Sequence, residues 1–317
     1  MNPGFDFDAA VGAPFRMQPG LRKLAPATAQ LTALNPAAPA FAEKLTVLTR
    51  HAGEALLCAP DFDPLPALRA LVHEAARDPL TALSADEEGV TAHRLGGRVR
   101  WDGRLADAGG AAPWPHEAAL ACLTAMPPAQ RLSGLLSLTL HEDLAIVDGA
   151  RATLPWMAVC LPSHWAPSEK VGRSFAAVHG PVADNATLIA ASQHLTRLVC
   201  QSQRWERFVW NLTTHPSHDQ HPARHARLPW PDDPQAVAEA AHWRTEHQTF
   251  IPLPALQQAV FTIHVNVQAM TQAITTPRQA TALHAALSTM SDAVLAYRGL
   301  GPARDALLVW LAARASA

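Results

Sequence analysis

One histidine in this 317-residue chain stands where it could take a metal. His179 follows the apolar segment Phe175-Ala176-Ala177-Val178, and Gly180-Pro181 fixes the backbone just after it. Two chemistries fit that placement. One is a half-buried imidazole hydrogen-bonded to a backbone carbonyl. The other is an axial ligand to haem iron or another metal, since a porphyrin needs an apolar slot and one fixed neutral nitrogen. A second set of polar residues alternates along 242–254, with Arg244, Glu246 and Gln248 on one strand face and Trp243, Thr245, His247 and Thr249 on the other. Three polar side chains in line are costly to bury without a ligand or mutual pairing. The plainer alternative is a same-face ion pair between Arg244 and Glu246. In 204–212 the alternation puts Trp205, Arg207, Val209 and Asn211 together, so Arg207 either points inward and needs an anion or points out to solvent.

Two further groupings carry less chemistry. His215, His218, His221 and His225 could bind zinc, nickel or copper, but Pro216 and Pro222 prevent the helix that would align them. They are read as a mobile hydrophilic loop with adventitious metal affinity and no dedicated site. Glu142 and Asp143 are adjacent, so on a strand they face opposite sides and cannot act as one carboxylate pair; a solvated turn or a salt bridge is expected.

The elements that position these residues follow from periodicity. Residues 154–161 form a continuous apolar run, short enough for a strand buried on both faces and stopped by Pro162. Ser168 is placed to cap one helical turn, 169–171, ended by Gly172. Residues 1–36, rich in Pro and Ala, read as an extended arm anchored by Phe5, Phe7 and Phe15. Residues 37–317 read as a single domain, with helices over 41–57, 65–77 and 116–126, the last stopped by Pro127-Pro128. Between them, 78–115 reads as short strands and Gly turns, with His93, Arg98, Arg100 and Trp101 facing solvent or a partner. The core, about 132–268, opens with strands at 135–140 and 144–147 and a hairpin at Asp148-Gly149. An Asn-capped helix is predicted over 185–203, a short one over 236–241, and two more over 277–297 and 302–313. The last two, with Tyr297 at their junction, are assigned to stability. Helices flanking non-sequential antiparallel strands make the fold class α+β.

Composition excludes several functions. Lys and Arg number 25 against 27 Asp and Glu, so no basic field for nucleic acid exists. Charged residues are 16% and hydrophobic ones 49%, with nine Trp, which excludes a disordered chain. No uninterrupted apolar run approaches the roughly 18 residues of a membrane span, and the amino terminus lacks the pattern of a secretory signal. A cytoplasmic protein with no membrane role is expected. The four cysteines are scattered and form no CxxC or CxxCH, so any haem is held non-covalently. No GxGxxG follows a strand, so a nicotinamide or flavin site is not expected in this chain.

The run PSHWAPSEKVGRSFAAVHGPV resembles the alpha subunit of the haem-dependent oxidative N-demethylases and the domain family around it, which reads roughly FPS-x-W-x-P-x-EK-x-G-x-x-L-x-x-IH-x-PVP. The likeness continues in order through PFRMQPGLRKL, LHEDLAIV, ERFVWNL, WRTEHQTFIPLP, FTIHVNV and YRGL. The resemblance implies a PAS-like sheet cupping haem b, with His179 as the iron ligand and Lys170, Arg207 and Arg244 on the cofactor side. It implies Glu246 and Gln248 as catalytic, substrate-side groups, and oxidative demethylation of a small secondary amine. The electrons would come from a separate flavin/iron-sulfur reductase subunit fed by NADPH. A haem-binding sensor or a non-catalytic homologue on the same fold is the alternative. The chain departs from the family pattern at His247 and His264, where Arg is usual, and at Asn266, where Tyr is usual. Imidazoles in place of permanent guanidinium forks are expected to weaken any anion contact made there.

Overall fold

The computed structural model describes residues 5–25, 28–107 and 116–316. The amino-terminal arm carries one turn of helix, α1 (Phe7–Ala10), and a two-residue strand, β1 (Arg22–Lys23). Helix α2 (Pro39–Ala55) opens on a proline at its first position, where the missing N–H costs nothing, and runs into β2 (Leu56–Cys58). After α3 (Leu65–Ala75) come four short strands, β3 (Leu83–Ala85), β4 (Gly89–Ala92), β5 (Gly97–Arg100) and β6 (Leu105–Asp107), paired antiparallel in that order. Helices α4 (Glu117–Ala125) and α5 (Pro128–Thr139) lead to the hairpin β7 (Asp143–Asp148) and β8 (Thr153–Ala158). Three short helices follow, α6 (Phe175–His179), α7 (Ala186–Ala190) and α8 (Ser192–Val199), then β9 (Trp205–Thr213) and α9 (Pro234–Ala240). Two long strands, β10 (His242–Leu253) and β11 (Gln258–Ala269), precede α10 (Met270–Ala273), α11 (Pro277–Ser288), α12 (Asp292–Arg298) and α13 (Arg304–Ala315).

The main sheet has seven antiparallel strands in the order β1-β9-β10-β11-β7-β8-β2. β10 pairs with β11 along its whole length, His242 with Ala269 through Leu253 with Gln258. Its alternation therefore decides which side chains share a face. One face, through Leu144, Ile146, Trp156, Ile251 and Val260, packs on α2, α3, α5 and the small sheet. The other, through Ala145, Val147, Met157, Phe250 and Ala259, meets α6 and α8 around Val178 and Val199. A third cluster gathers α9 to α13 with Trp210, Trp243 and the arm's Phe5 and Phe7. The chain is α+β, and no helix of the described residues is long and apolar enough to cross a membrane.

Several elements differ from the sequence expectation. Residues 135–140 are not a strand but the end of α5, and the reason lies in the spacing. Leu132, Leu135, Leu136 and Thr139 recur at three and four residues, and a short apolar run fits either period. Pro127-Pro128 also ends one helix while starting the next, which a stop signal alone does not reveal. The helix expected over 185–203 is α7 and α8, broken at Ala191. Asn185 does not cap it, because its side-chain amide donates to the carbonyls of His179 and Gly180. The helix expected over 277–297 is α11 and α12, with Ser291 capping the second. The expected mobile loop at 215–225 is packed: Asp219, Gln220 and His221 are buried, Gln220 forms a parallel bridge with Ser163, and Arg224 joins Asp219 to Glu54. Among the described residues no cluster of His, Cys, Asp and Glu is arranged to hold a metal ion.

Candidate active site

The cavity lies between the β9-β10-β11 face of the sheet, helices α6 to α8, the arm and the end of α12, with a void of about 1520 Å³ counting its open mouth. Much of its wall is apolar: Met157, Val178, Leu195, Val199, Phe250 and Phe261 are among the lining side chains. Strand alternation brings Arg207, Val209 and Asn211 of β9 and Arg244, Glu246 and Gln248 of β10 to this wall, as their spacing predicts.

His179 lines the same cavity, presented by a five-residue helix that Ser174 caps through the N–H of Ala177. Its Nδ1 donates to the carbonyl of Phe175 at 2.8 Å, and its ring lies against the Phe175 ring at 4.1 Å. That bond fixes the tautomer and leaves Nε2 unprotonated, with no protein partner among the described residues. Burial holds the imidazole neutral, pulling its pKa down to about 4. The two sequence readings are therefore one geometry: a carbonyl-bound imidazole is also an imidazole oriented to give its second nitrogen away.

The cationic groups divide into committed and uncommitted ones. Arg244 is 2% exposed and spends each of its nitrogens on the protein, with Nε donating to Ser163 Oγ at 2.7 Å, Nη1 to the His218 carbonyl at 2.7 Å and Nη2 to the Leu161 carbonyl at 2.8 Å. It pins the packed 215–225 loop and the 161–163 turn to β10. No ion pair forms between Arg244 and Glu246 among the described residues; Ser163 stands between them, its hydroxyl donating to Glu246. Gln248 donates to the second Glu246 oxygen at 2.6 Å. Arg207, in contrast, makes no hydrogen bond or ion pair with the described residues, and its Nε is buried and unpaired. Burial lowers its pKa, partly offset by the charge of Glu246. Lys170 lies over the Trp165 ring at 4.7 Å without a carboxylate partner among the described residues, and burial lowers its pKa too.

Four residues of the site escape sequence reasoning. Ser163 and Asn185 have types too common for spacing to single out. Tyr297 and Arg298, at the turn assigned to stability, line the cavity instead. His247, His264 and Asn266, expected to weaken anion contacts, do not line it. Alternation turns the two imidazoles to the opposite face, where His247 pairs with Glu206 and His264 with Glu142, each at 2.8 Å. Glu142 and Asp143 are both buried and take the salt-bridge alternative, Asp143 pairing with Lys44 at 3.1 Å.

Fold and site together define an α+β protein with one amphipathic cavity that offers a free imidazole nitrogen and unpaired cations. The sequence model of the haem-dependent oxidative N-demethylase, alpha subunit-like family matches residues 118–308, and the chain belongs to that family. The family's description implies dependence on haem and a partner subunit. The match begins inside α4, so the arm motif PFRMQPGLRKL lies outside it.

Proposed function

We propose that the protein binds haem b non-covalently in this cavity and oxidatively demethylates a small secondary amine, one resembling dimethylamine. The observation that carries the reading is that one cavity presents both a free His179 Nε2 and an Arg207 without a partner among the described residues. Among the described residues four cations, Lys170, Arg207, Arg244 and Arg298, line it against one carboxylate, Glu246. Such a wall is short of negative charge, and a porphyrin with two propionates is an apolar disc that supplies it. In this reading the sheet is a PAS-like cup, His179 is the iron ligand, and Arg207 with Lys170 meets the propionates. Arg244 is grouped with the cofactor side for a different reason: it holds the turn that shapes the wall. Bound haem supplies the oxygen-activating and electron-accepting centre.

The chain's own residues supply position. Glu246 is held at both oxygens by Ser163 and Gln248, yet each oxygen has a second lone pair. A secondary ammonium ion carries two N–H donors, so the carboxylate can hold the amine nitrogen and leave a methyl group directed into the cavity. The net change takes one secondary amine, O2, two electrons and two protons to the shorter amine, formaldehyde and water. The electrons come from a separate flavin/iron-sulfur reductase subunit using NADPH, in the cytoplasm.

Haem titration into the purified protein tests the cofactor, and amine-dependent formaldehyde release with a competent reductase tests the reaction. The expected results are a Soret band lost in His179→Ala and formaldehyde release lost in Glu246→Gln. A Soret band without formaldehyde would favour a haem-binding sensor, and no band at all a haem-free homologue.

A further inference from the structure

Arg298 is the last residue of α12, and it reaches the cavity from a different part of the fold than Arg207. Its guanidinium sits in the corner of the edge-to-face pair Phe15 and Trp210, 4.6 Å and 5.0 Å from the two ring centroids. One nitrogen, Nη1, donates to the Trp210 carbonyl at 2.7 Å. Nε and Nη2 meet no acceptor among the described residues. Phe15 is itself tethered, its N–H donating to Thr289 Oγ1 at 2.9 Å, and Ala10 of the same arm accepts from Trp210 Nε1 at 3.0 Å. Burial draws the pKa of Arg298 down to about 10, with Tyr297 raising it and Arg207 lowering it, so the guanidinium stays charged at pH 7. Two guanidiniums line one cavity with no ion pair to either among the described residues, Glu246 being bonded to Ser163 and Gln248, and an entering anion would balance them. A guanidinium held against two aromatic rings with one nitrogen anchored is restricted in how its fork can turn, and its remaining N–H donors suit a carboxylate.

We propose that Arg298 is a second carboxylate anchor, acting with Arg207 on a ligand that carries two carboxylates, and that Phe15 of the arm holds it in place. The proposal rests on the haem reading, with one propionate at each guanidinium. It makes the amino-terminal arm, which lies outside the family match, part of the cofactor site.

The test separates charge recognition from packing by using two probes, haem b and its dimethyl ester, which has the same ring without the two carboxylates. Dissociation constants are read from Soret titrations of wild type, Arg298→Leu and Arg298→Lys. Loss of a charge-assisted hydrogen bond predicts haem binding weaker by roughly 10- to 100-fold in Arg298→Leu. The ester should change by less than about threefold, and Arg298→Lys should recover part of the haem affinity without altering the ester. If Arg298→Leu does not fold, the ratio of haem to ester affinity in Arg298→Lys decides, an unchanged ratio counting against the anchor. Equal losses for haem and ester would overturn the anchor while leaving the haem site standing. A wild-type protein that binds neither probe would overturn the haem reading and the anchor together.

Discussion

The two faces of the seven-stranded sheet hold similar side chains and use them in opposite ways. Behind the cavity, His264 closes on Glu142, His247 on Glu206, and Gln30 donates to Thr249, which in turn bonds Thr262. Every one of those partners comes from the protein, so the polar groups there are part of the fold. On the cavity side Arg207 and Lys170 pair with no carboxylate among the described residues, and His179 has one nitrogen without a partner there. A buried polar group without a partner costs free energy, so the unpaired groups of this cavity are the ones a ligand could satisfy. Residue type does not separate these groups on the two faces; whether each has a protein partner does.

That contrast makes predictions of decreasing size. The largest is for His179→Ala, which should abolish the histidine-ligated haem spectrum while the melting temperature of the haem-free protein moves by only a few degrees, checked by Soret titration and calorimetry. Next is Lys44→Met. Lys44 and Asp143 are both at most 1% exposed, and removing one partner leaves the other an uncompensated buried charge. Unfolding free energy should fall by about 3–5 kcal/mol in urea titrations, while the folded fraction keeps its haem affinity. Arg207→Leu should do the reverse, costing roughly tenfold in haem affinity and leaving the haem-free protein as stable as wild type or more so. A drop in stability comparable to that of Lys44→Met would show that Arg207 belongs to the fold after all. Asn185→Ala should weaken haem binding only a few-fold, because its amide holds the last carbonyls of the helix that presents His179.

The smallest effect is on pH dependence. His141 stacks on His264 at 3.9 Å with its Nδ1 buried and unpaired, and burial pulls its pKa from 6.5 to about 3. Below pH 6.5 the unfolded chain takes up a proton that the folded chain refuses, so this histidine's contribution is intact above 6.5 and is lost as pH falls toward 3. His141→Phe should therefore flatten the decline in melting temperature between pH 7 and 5. An unchanged slope would mean that other groups set it. Glu142 acts with the same sign but lower on the scale. The partners His264 and Thr32 outweigh its burial and lower its pKa, so its stabilisation is present above the ordinary carboxylate range and is lost as pH drops through its folded value.

Much of the site was legible because strand periodicity is a local property. Arg207, Val209 and Asn211 on β9, and Arg244, Glu246 and Gln248 on β10, share a wall because alternate residues of a strand point the same way whatever the strand pairs with. His179 was legible for a similar reason, since an apolar segment and a Gly-Pro stop leave few ways to present the side chain. Residues 135–140 were misread because a short leucine-rich run satisfies both periods and only its neighbours choose. The likeness to the family located motifs but not partners. Arg244 and Arg207 look equivalent in sequence, yet one has acceptors at every nitrogen and the other has none among the described residues.

The linear order of residues was enough to determine the α+β class, the polar stripe on β10 and the imidazole at the end of α6. Only the tertiary structure decided that Arg244 is a strut, that His247 and His264 are paired behind the sheet, and that Phe15 and Arg298 meet at the cavity though they lie at opposite ends of the chain. The physical reason is range. Alternation and capping act over a few residues and can be read along the chain, whereas the satisfaction of a charge depends on whichever distant group folding brings within about 3 Å of it.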